Sequence, residues 1–323
     1  MKIAIVAASG PAVGLGHVAR CVALAQAVEM LHASKPIFLD LDAESRRWVA
    51  ERGFRTQTGR RGSWDLLIAD SYDLSRKDLE SLRRKTLCLL VVQDAVAHPV
   101  ACDWILNSTV YAHKLSYAGA RIGGLLLGPK FQPLRREFWR QPPMHRRRRV
   151  ANVLVTFGGG DVRNLLVEVL PMLLAALPTA RFHVVIGPHS AAPPPCPRIV
   201  LHRSPRNLHA LIASCDIAVS AGGQALYELA FSGLPAIAIE ISNSQTPNLI
   251  GFTAAGIALS VGRPSSRGFP GRLQKAVRAL SANEKLRATM ADSGRRLVDG
   301  QGAIRVIRAL SLRSDKEKRH ARS

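Results

Sequence analysis

Short apolar runs alternate with helical stretches along most of the chain, and this alternation limits the possible folds more than any other feature. Apolar runs lie at residues 2–8, 36–40, 65–70, 87–93 and 103–107. Helical spacing is clearest at 17–31, where Val18, Cys21, Val22, Ala25, Val28 and Leu31 recur three or four apart, and again at 74–84. Strand, helix, strand in succession predicts a parallel sheet covered by helices on both faces. Gln141, Pro142 and Pro143, followed by the run Arg146, Arg147, Arg148 and Arg149, suit neither a helix interior nor a buried strand. A second series follows, with strands expected at 150–156, 181–186, 216–219 and 235–240 and helices at 162–177, 207–214 and 224–232. Helical sequence is then expected to about residue 312. The expected organisation is an N-terminal α/β domain at 1–140, a basic linker at 141–149, a C-terminal α/β domain at 150–312 and a basic tail at 313–323. The expected fold is α/β, with two Rossmann-like domains facing across a cleft. Ligands of such sheets bind beyond the carboxyl ends of the strands.

Composition narrows the class. A chain of 323 residues is long enough for two domains, and 47% hydrophobic with 21% charged residues excludes global disorder. No apolar run reaches 18 residues, so no membrane-spanning helix is expected. The apolar start of the chain reads as a strand rather than a signal peptide. Five cysteines, an odd number with no CxxC pair, argue against a disulfide framework and a structural zinc site, and a reducing cytoplasm is expected. The net charge of +22 divides equally on either side of Arg149. Aromatic residues are 5% and do not interleave with the basic runs, which argues against single-stranded nucleic acid as a partner. The basic linker and tail read as solvated charge.

Three glycine-rich loops sit where strands give way to helices. The first carries Gly14, Gly16, His17 and Arg20. Glycines let backbone approach a ligand closely, and a helix start offers free N–H groups. A dinucleotide fingerprint with Asp40 on the ribose fits poorly, because Ser9 to Val13 separate the strand from the first glycine. His17 at a helix start is expected as a neutral imidazole able to act as a base; the alternative is a capping or packing residue. The second loop carries Gly158, Gly159, Gly160 and Asp161, a phosphate-binding pattern without the GK[ST] of a P-loop. In the third, Gly222, Gly223 and Gln224 open a helix that carries Glu228, placed to accept hydrogen bonds from ribose hydroxyls.

The segment Gly14-Leu15-Gly16-His17-Val18-Ala19-Arg20 resembles the GxGHxxR signature of the nucleotide-sugar hydrolases of pseudaminic acid synthesis, which act on UDP-2,4-diacetamido-2,4,6-trideoxy-β-L-altropyranose. Asp70-Ser71-Tyr72-Asp73, Gln93-Asp94 with Cys102-Asp103, residues 128–138, and residues 220–229 with Gly233-Leu234-Pro235 also fit, so the likeness runs from residue 1 to about 262. The wider family is the two-domain GT-B architecture of the lipid II-forming transferase, shared by spore-coat polysaccharide proteins. The resemblance implies that the C-terminal domain holds UDP, with Gly158, Gly159, Gly222, Gly223 and Gln224 at the diphosphate and Glu228 at the ribose. His17 would activate water, with Gly14, Gly16, Arg20 and Tyr72 around the sugar. The family's Asn-Gln pair is met here by Asn243, Ser244 and Gln245, with Ser244 at the asparagine position. The implied chemistry needs no metal or cofactor.

Three functions stand at this point. One is hydrolysis of a UDP-linked diacetamido sugar. The second is sugar transfer from the same donor to an alcohol. The third, a basic nucleic-acid binder, leaves both glycine-loop domains unexplained.

Overall fold

The computed structural model describes every residue except 11–12, 95–101, 118–123, 143–147, 159–164, 188–191, 206 and 321–323, and the side chains of 312–320. The chain divides into two compact units, Met1–Trp139 with Gly300–Ser323, and Arg140–Asp299.

The first unit holds seven strands: β1 (Ile3–Ala7), β2 (Ile37–Leu39), β3 (Arg55–Gln57), β4 (Trp64–Asp70), β5 (Thr86–Val92), β6 (Trp104–Asn107) and β7 (Gly124–Leu127). They pair in parallel in the order β3-β2-β1-β4-β5-β6-β7. Helices α1 (Gly16–His32), α2 (Ala43–Ala50) and α3 (Arg76–Arg83) make connections between them. Both sheet faces are covered, which is why the central strands read as continuous apolar runs. Ile3 and Ile5 pack in one core with Val18, Val22 and Val28 of α1, while Ala4 and Val6 pack on the other face with Leu79 and Leu82 of α3. Ser75 and Asp78 close the start of α3 as a reciprocal capping box.

The second unit holds six strands in the order β10-β9-β8-β11-β12-β13, again all parallel. In chain order its elements are β8 (Asn152–Thr156), α4 (Leu165–Ala176), β9 (Arg181–Ile186), β10 (Ile199–Arg203), α5 (Leu208–Ser214), β11 (Ile217–Ala221), α6 (Ala225–Ser232), β12 (Ala236–Ile239), α7 (Thr246–Ala254), β13 (Ala258–Gly262), α8 (Phe269–Ala282) and α9 (Glu284–Leu297). The last helix, α10 (Gly302–His320), belongs to the first unit.

That placement corrects the expected domain at 150–312. Ala303, Ile304, Val306, Ile307 and Leu310 of α10 are buried in the first unit's core with α1. Gly302 permits the return: a Cβ there would lie 2.1 Å from the carbonyl oxygen of Gln132. The expected unbroken helical stretch is also corrected, because β13 adds a sixth strand beside β12. Strands β3, β7 and β10 and helix α2 were not expected. Edge strand β3 is three residues long and polar, and β10 is half exposed, so neither shows a buried apolar run. Among the described residues, no helix is long and apolar enough to cross a membrane.

Candidate active site

Strand order reverses between β1 and β4 in the first unit, and the carboxyl ends of such a pair form a ligand crevice. Asp70 closes β4 in register with Ala7, and its carbonyl accepts the Ala8 N–H at 2.7 Å. The apolar strand thus delivers a carboxylate to the switch point. The loop after β1 delivers the first turn of α1 to the same place. Gly14 turns that loop with φ of 71°, its N–H donating to Gly10, and Gly16 opens the helix.

Five side chains close into a ring there. His17 Nδ1 lies 2.7 Å from Asp70 Oδ1. Arg20 donates from Nε to Asp70 Oδ2 at 2.8 Å and from Nη2 to Asp70 Oδ1 at 2.7 Å. Its Nη1 meets both oxygens of Asp94, at 2.8 and 2.9 Å. The Tyr72 hydroxyl donates to Asp94 Oδ2 at 2.7 Å, and the Tyr72 ring returns to His17 edge-on, with centroids 4.9 Å apart at 88°. Tyr111 donates to the Asp94 carbonyl at 3.0 Å and steadies that corner.

The electrostatics follow from burial and pairing. Asp70 is fully buried, which opposes its charge, but Arg20 and His17 outweigh that and hold its carboxyl well below the usual range. Burial opposes the Arg20 charge too, and Asp70 and Asp94 overcome it, raising the guanidinium further. Burial and then Asp70 push the Cys21 thiol up. Tyr72 is 60% exposed, yet burial at its hydroxyl end and the Asp94 charge push its phenol up. An ionised carboxylate only accepts hydrogen bonds, so His17 Nδ1 carries the hydrogen and Nε2 holds the lone pair. Among the described residues, Nε2 makes no hydrogen bond. The arrangement fixes the tautomer from behind and leaves Nε2 as an acceptor.

Of the residues expected here, His17, Arg20 and Tyr72 are brought together. Arg20, expected at the sugar, is buried between two carboxylates, Asp70 and Asp94. Asp70 and Asp94 were not singled out individually. Their signal was an acid at or just after the end of an apolar strand, in Leu67-Ile68-Ala69-Asp70 and Val91-Val92-Gln93-Asp94. Asp40 does not suit a ribose role: its carboxylate takes the Gly59 N–H at 2.6 Å and Arg60 Nε at 3.0 Å.

In the second unit the order reverses between β8 and β11. After β11, the Gly222 N–H donates to Gln245 Oε1 at 3.1 Å, and Asn248 Nδ2 donates to the Gly222 carbonyl at 2.8 Å. Tyr227 holds Asn248 through its hydroxyl at 2.7 Å. A Cβ on Gly222 would lie 2.7 Å from Leu249 Cγ, whereas at Gly223 the nearest atom is Gln245 Nε2 at 3.8 Å. Close packing therefore demands glycine at 222, and space remains at 223. Gln224 stands at the N-cap position of α6, and Glu228 sits buried in its first turn. Gln245 reaches the loop, but Asn243 and Ser244 do not. Asn243 accepts from Arg263, and the Ser244 hydroxyl bonds that of Ser242 at 2.8 Å. Gly158 follows β8 with φ of 94°, and Gly159 lies outside the described residues. Asn248 has no local signature in the sequence, since its burial comes from a contact with another helix.

Two parallel-sheet α/β units with this strand order define the class: the chain has the fold of the GT-B glycosyltransferases. One solved example is the spinosyn rhamnosyltransferase SpnG complexed with thymidine diphosphate, with a TM-score of 0.64 and 14% identity over 96% of this chain and 100% of that one. In sequence the chain is similar to the pseudaminic acid cytidylyltransferase and UDP-2,4-diacetamido-2,4,6-trideoxy-beta-L-altropyranose hydrolase of Helicobacter pylori, 30% identical over 250 residues, 76% of this chain. It spans only 45% of that relative's length. It is also similar to the spore coat polysaccharide biosynthesis protein SpsG of Bacillus subtilis, 24% identical over 96% of this chain and 98% of that one. The resemblance carried by the Gly14-to-Arg20 signature is borne out by these relatives and by the fold. The chain matches no established family model.

Proposed function

We propose that the chain is an enzyme acting on a nucleotide-linked sugar, and that it releases UDP from a UDP-2,4-diacetamido-2,4,6-trideoxyhexose by attack of water at the anomeric carbon. The observation that carries this reading is His17, tied through Nδ1 to Asp70 at 2.7 Å with its Nε2 lone pair uncommitted among the described residues. Nε2 takes a proton from water as the water oxygen bonds the anomeric carbon. The bond from that carbon to the diphosphate oxygen breaks, and UDP departs with the electron pair. Asp70 holds the ring orientation and the Nδ1–H tautomer. Gly222, Gly223 and Gln224 at the start of α6 are assigned the diphosphate, where N–H donors stabilise the leaving group. Glu228 is assigned the ribose. The Helicobacter pylori and Bacillus subtilis relatives support a place in surface-sugar synthesis.

A second reading, transfer of the sugar to an alcohol, is favoured by the glycosyltransferases that share the fold. The same base would then take the proton of the acceptor hydroxyl. Turnover in ¹⁸O-water separates the two. Hydrolysis releases UDP with no acceptor present and puts the label in the free sugar. Label in UDP would mean attack on phosphorus, and UDP release only after an alcohol is added would establish the transferase.

A further inference from the structure

We propose that Asp94 supplies the negative charge against which His17 takes up its proton, acting through Arg20. The inference rests on the reading of His17 as the base and concerns a residue that need not touch substrate.

The charges around His17 can be counted. Asp70 faces it from the end of β4, Arg20 and Cys21 from α1, Tyr72 from the turn after β4, and Asp94 stands behind Arg20 after β5. Cys21 and Tyr72 are neutral, since burial and neighbouring carboxylates push both up. Asp70 is not an independent negative charge. Arg20 bonds both of its oxygens, at 2.8 and 2.7 Å, and the two cancel. With those groups alone, a proton on His17 would leave the buried cluster at +1. Asp94 changes the sum. It meets Nη1 through both oxygens, and Tyr72 and Tyr111 hold its carboxylate and carbonyl in place. The cluster then carries −1 with a neutral imidazole and zero with an imidazolium. Unbalanced charge is costly where water is scarce, so this network is best balanced after proton transfer. The proton later leaves Nε2 for solvent and restores the starting state.

Asp94→Asn removes the charge and keeps the shape. It is expected to lower kcat about tenfold to a hundredfold while KM stays within about threefold. Independently of activity, NMR titration of the His17 ring is expected to show its midpoint about 0.5 to 1 pH unit lower than in the wild type. Tyr72→Phe also breaks a bond to Asp94 but keeps every charge, so it should leave that midpoint in place. An unmoved midpoint in Asp94→Asn, or an equal movement in Tyr72→Phe, overturns the proposal. If Asp94→Asn fails to fold, Asp94→Glu decides. It keeps the charge and must keep the wild-type midpoint, and a moved midpoint there overturns the idea. A wild type that releases no UDP would instead defeat the proposed hydrolysis, a failure seen in a different measurement.

Discussion

His17 Nδ1 and Asp70 Oδ1 stand 2.7 Å apart although 53 positions separate the residues in the chain. Parallel pairing of β1 with β4 makes them neighbours: Ala7 lies opposite Asp70, and the next helix begins nine residues after Ala7, at Gly16. The contact decides which ring nitrogen is left without a partner among the described residues.

Removing the imidazole tests that directly. His17→Ala is expected to lose about 10²–10⁴ in kcat, the usual worth of a positioned general base. Calorimetric affinity for UDP should remain near that of the wild type, because the nucleotide is assigned to the second unit. Full turnover in this variant would leave the mechanism without its base.

Asp70→Asn should affect both activity and stability. Breaking a buried pair costs about 3–5 kcal/mol, because Arg20 keeps its charge and loses a partner. Asp70 titrates lower in the folded chain than in the unfolded one. Its stabilisation is therefore complete above the unfolded value, about 3.9, and is lost as pH falls further. Urea unfolding should show a constant gap between wild type and variant from neutral pH to about pH 5, narrowing below about pH 4. A constant gap throughout would contradict the ion pairing.

The two adjacent glycines of the third loop should separate folding from binding. Gly222→Ala places a Cβ 2.7 Å from Leu249 and is expected to destabilise by about 1–3 kcal/mol. Gly223→Ala meets no protein atom closer than 3.8 Å, so its melting temperature should stay near that of the wild type. If Gly223 approaches the diphosphate, that same variant loses UDP affinity. Normal affinity would remove Gly223 from the nucleotide site.

Truncation after Asp299 removes α10 from the first unit. Ile304, Val306, Ile307 and Leu310 would leave the core, each worth about 1.5–3 kcal/mol of burial, against a domain stability of about 5–15 kcal/mol. Hydrogen exchange should show β1 and α1 unprotected while β8 and β11 of the second unit stay protected. Retained protection of β1 would mean that α10 is dispensable.

How much of this was legible beforehand depends on the range of the interaction. The strands at β1, β4, β5 and β8 were readable because burial on both faces leaves a run of apolar residues. The short edge strands were not, because a strand half open to solvent keeps mixed composition. Helix α10 was readable as a helix but not in its unit, since amphipathic spacing says that a face is buried and not against which sheet. In the site, His17 was legible from its glycine-rich approach and its place at a helix start. Arg20 was placed on substrate, and only the folded chain shows it held between Asp70 and Asp94.

By itself the sequence determined the α/β class, the doubling of the architecture and the glycine-rich loops at the strand ends, because these depend on local periodicity and on glycine's freedom near the strand ends. The tertiary structure alone decided which carboxylate stands behind His17, which glycine is packed and which is open, and where the last helix returns. Those are contacts between residues far apart in the chain. Strand order creates them, and no local pattern of residues encodes strand order.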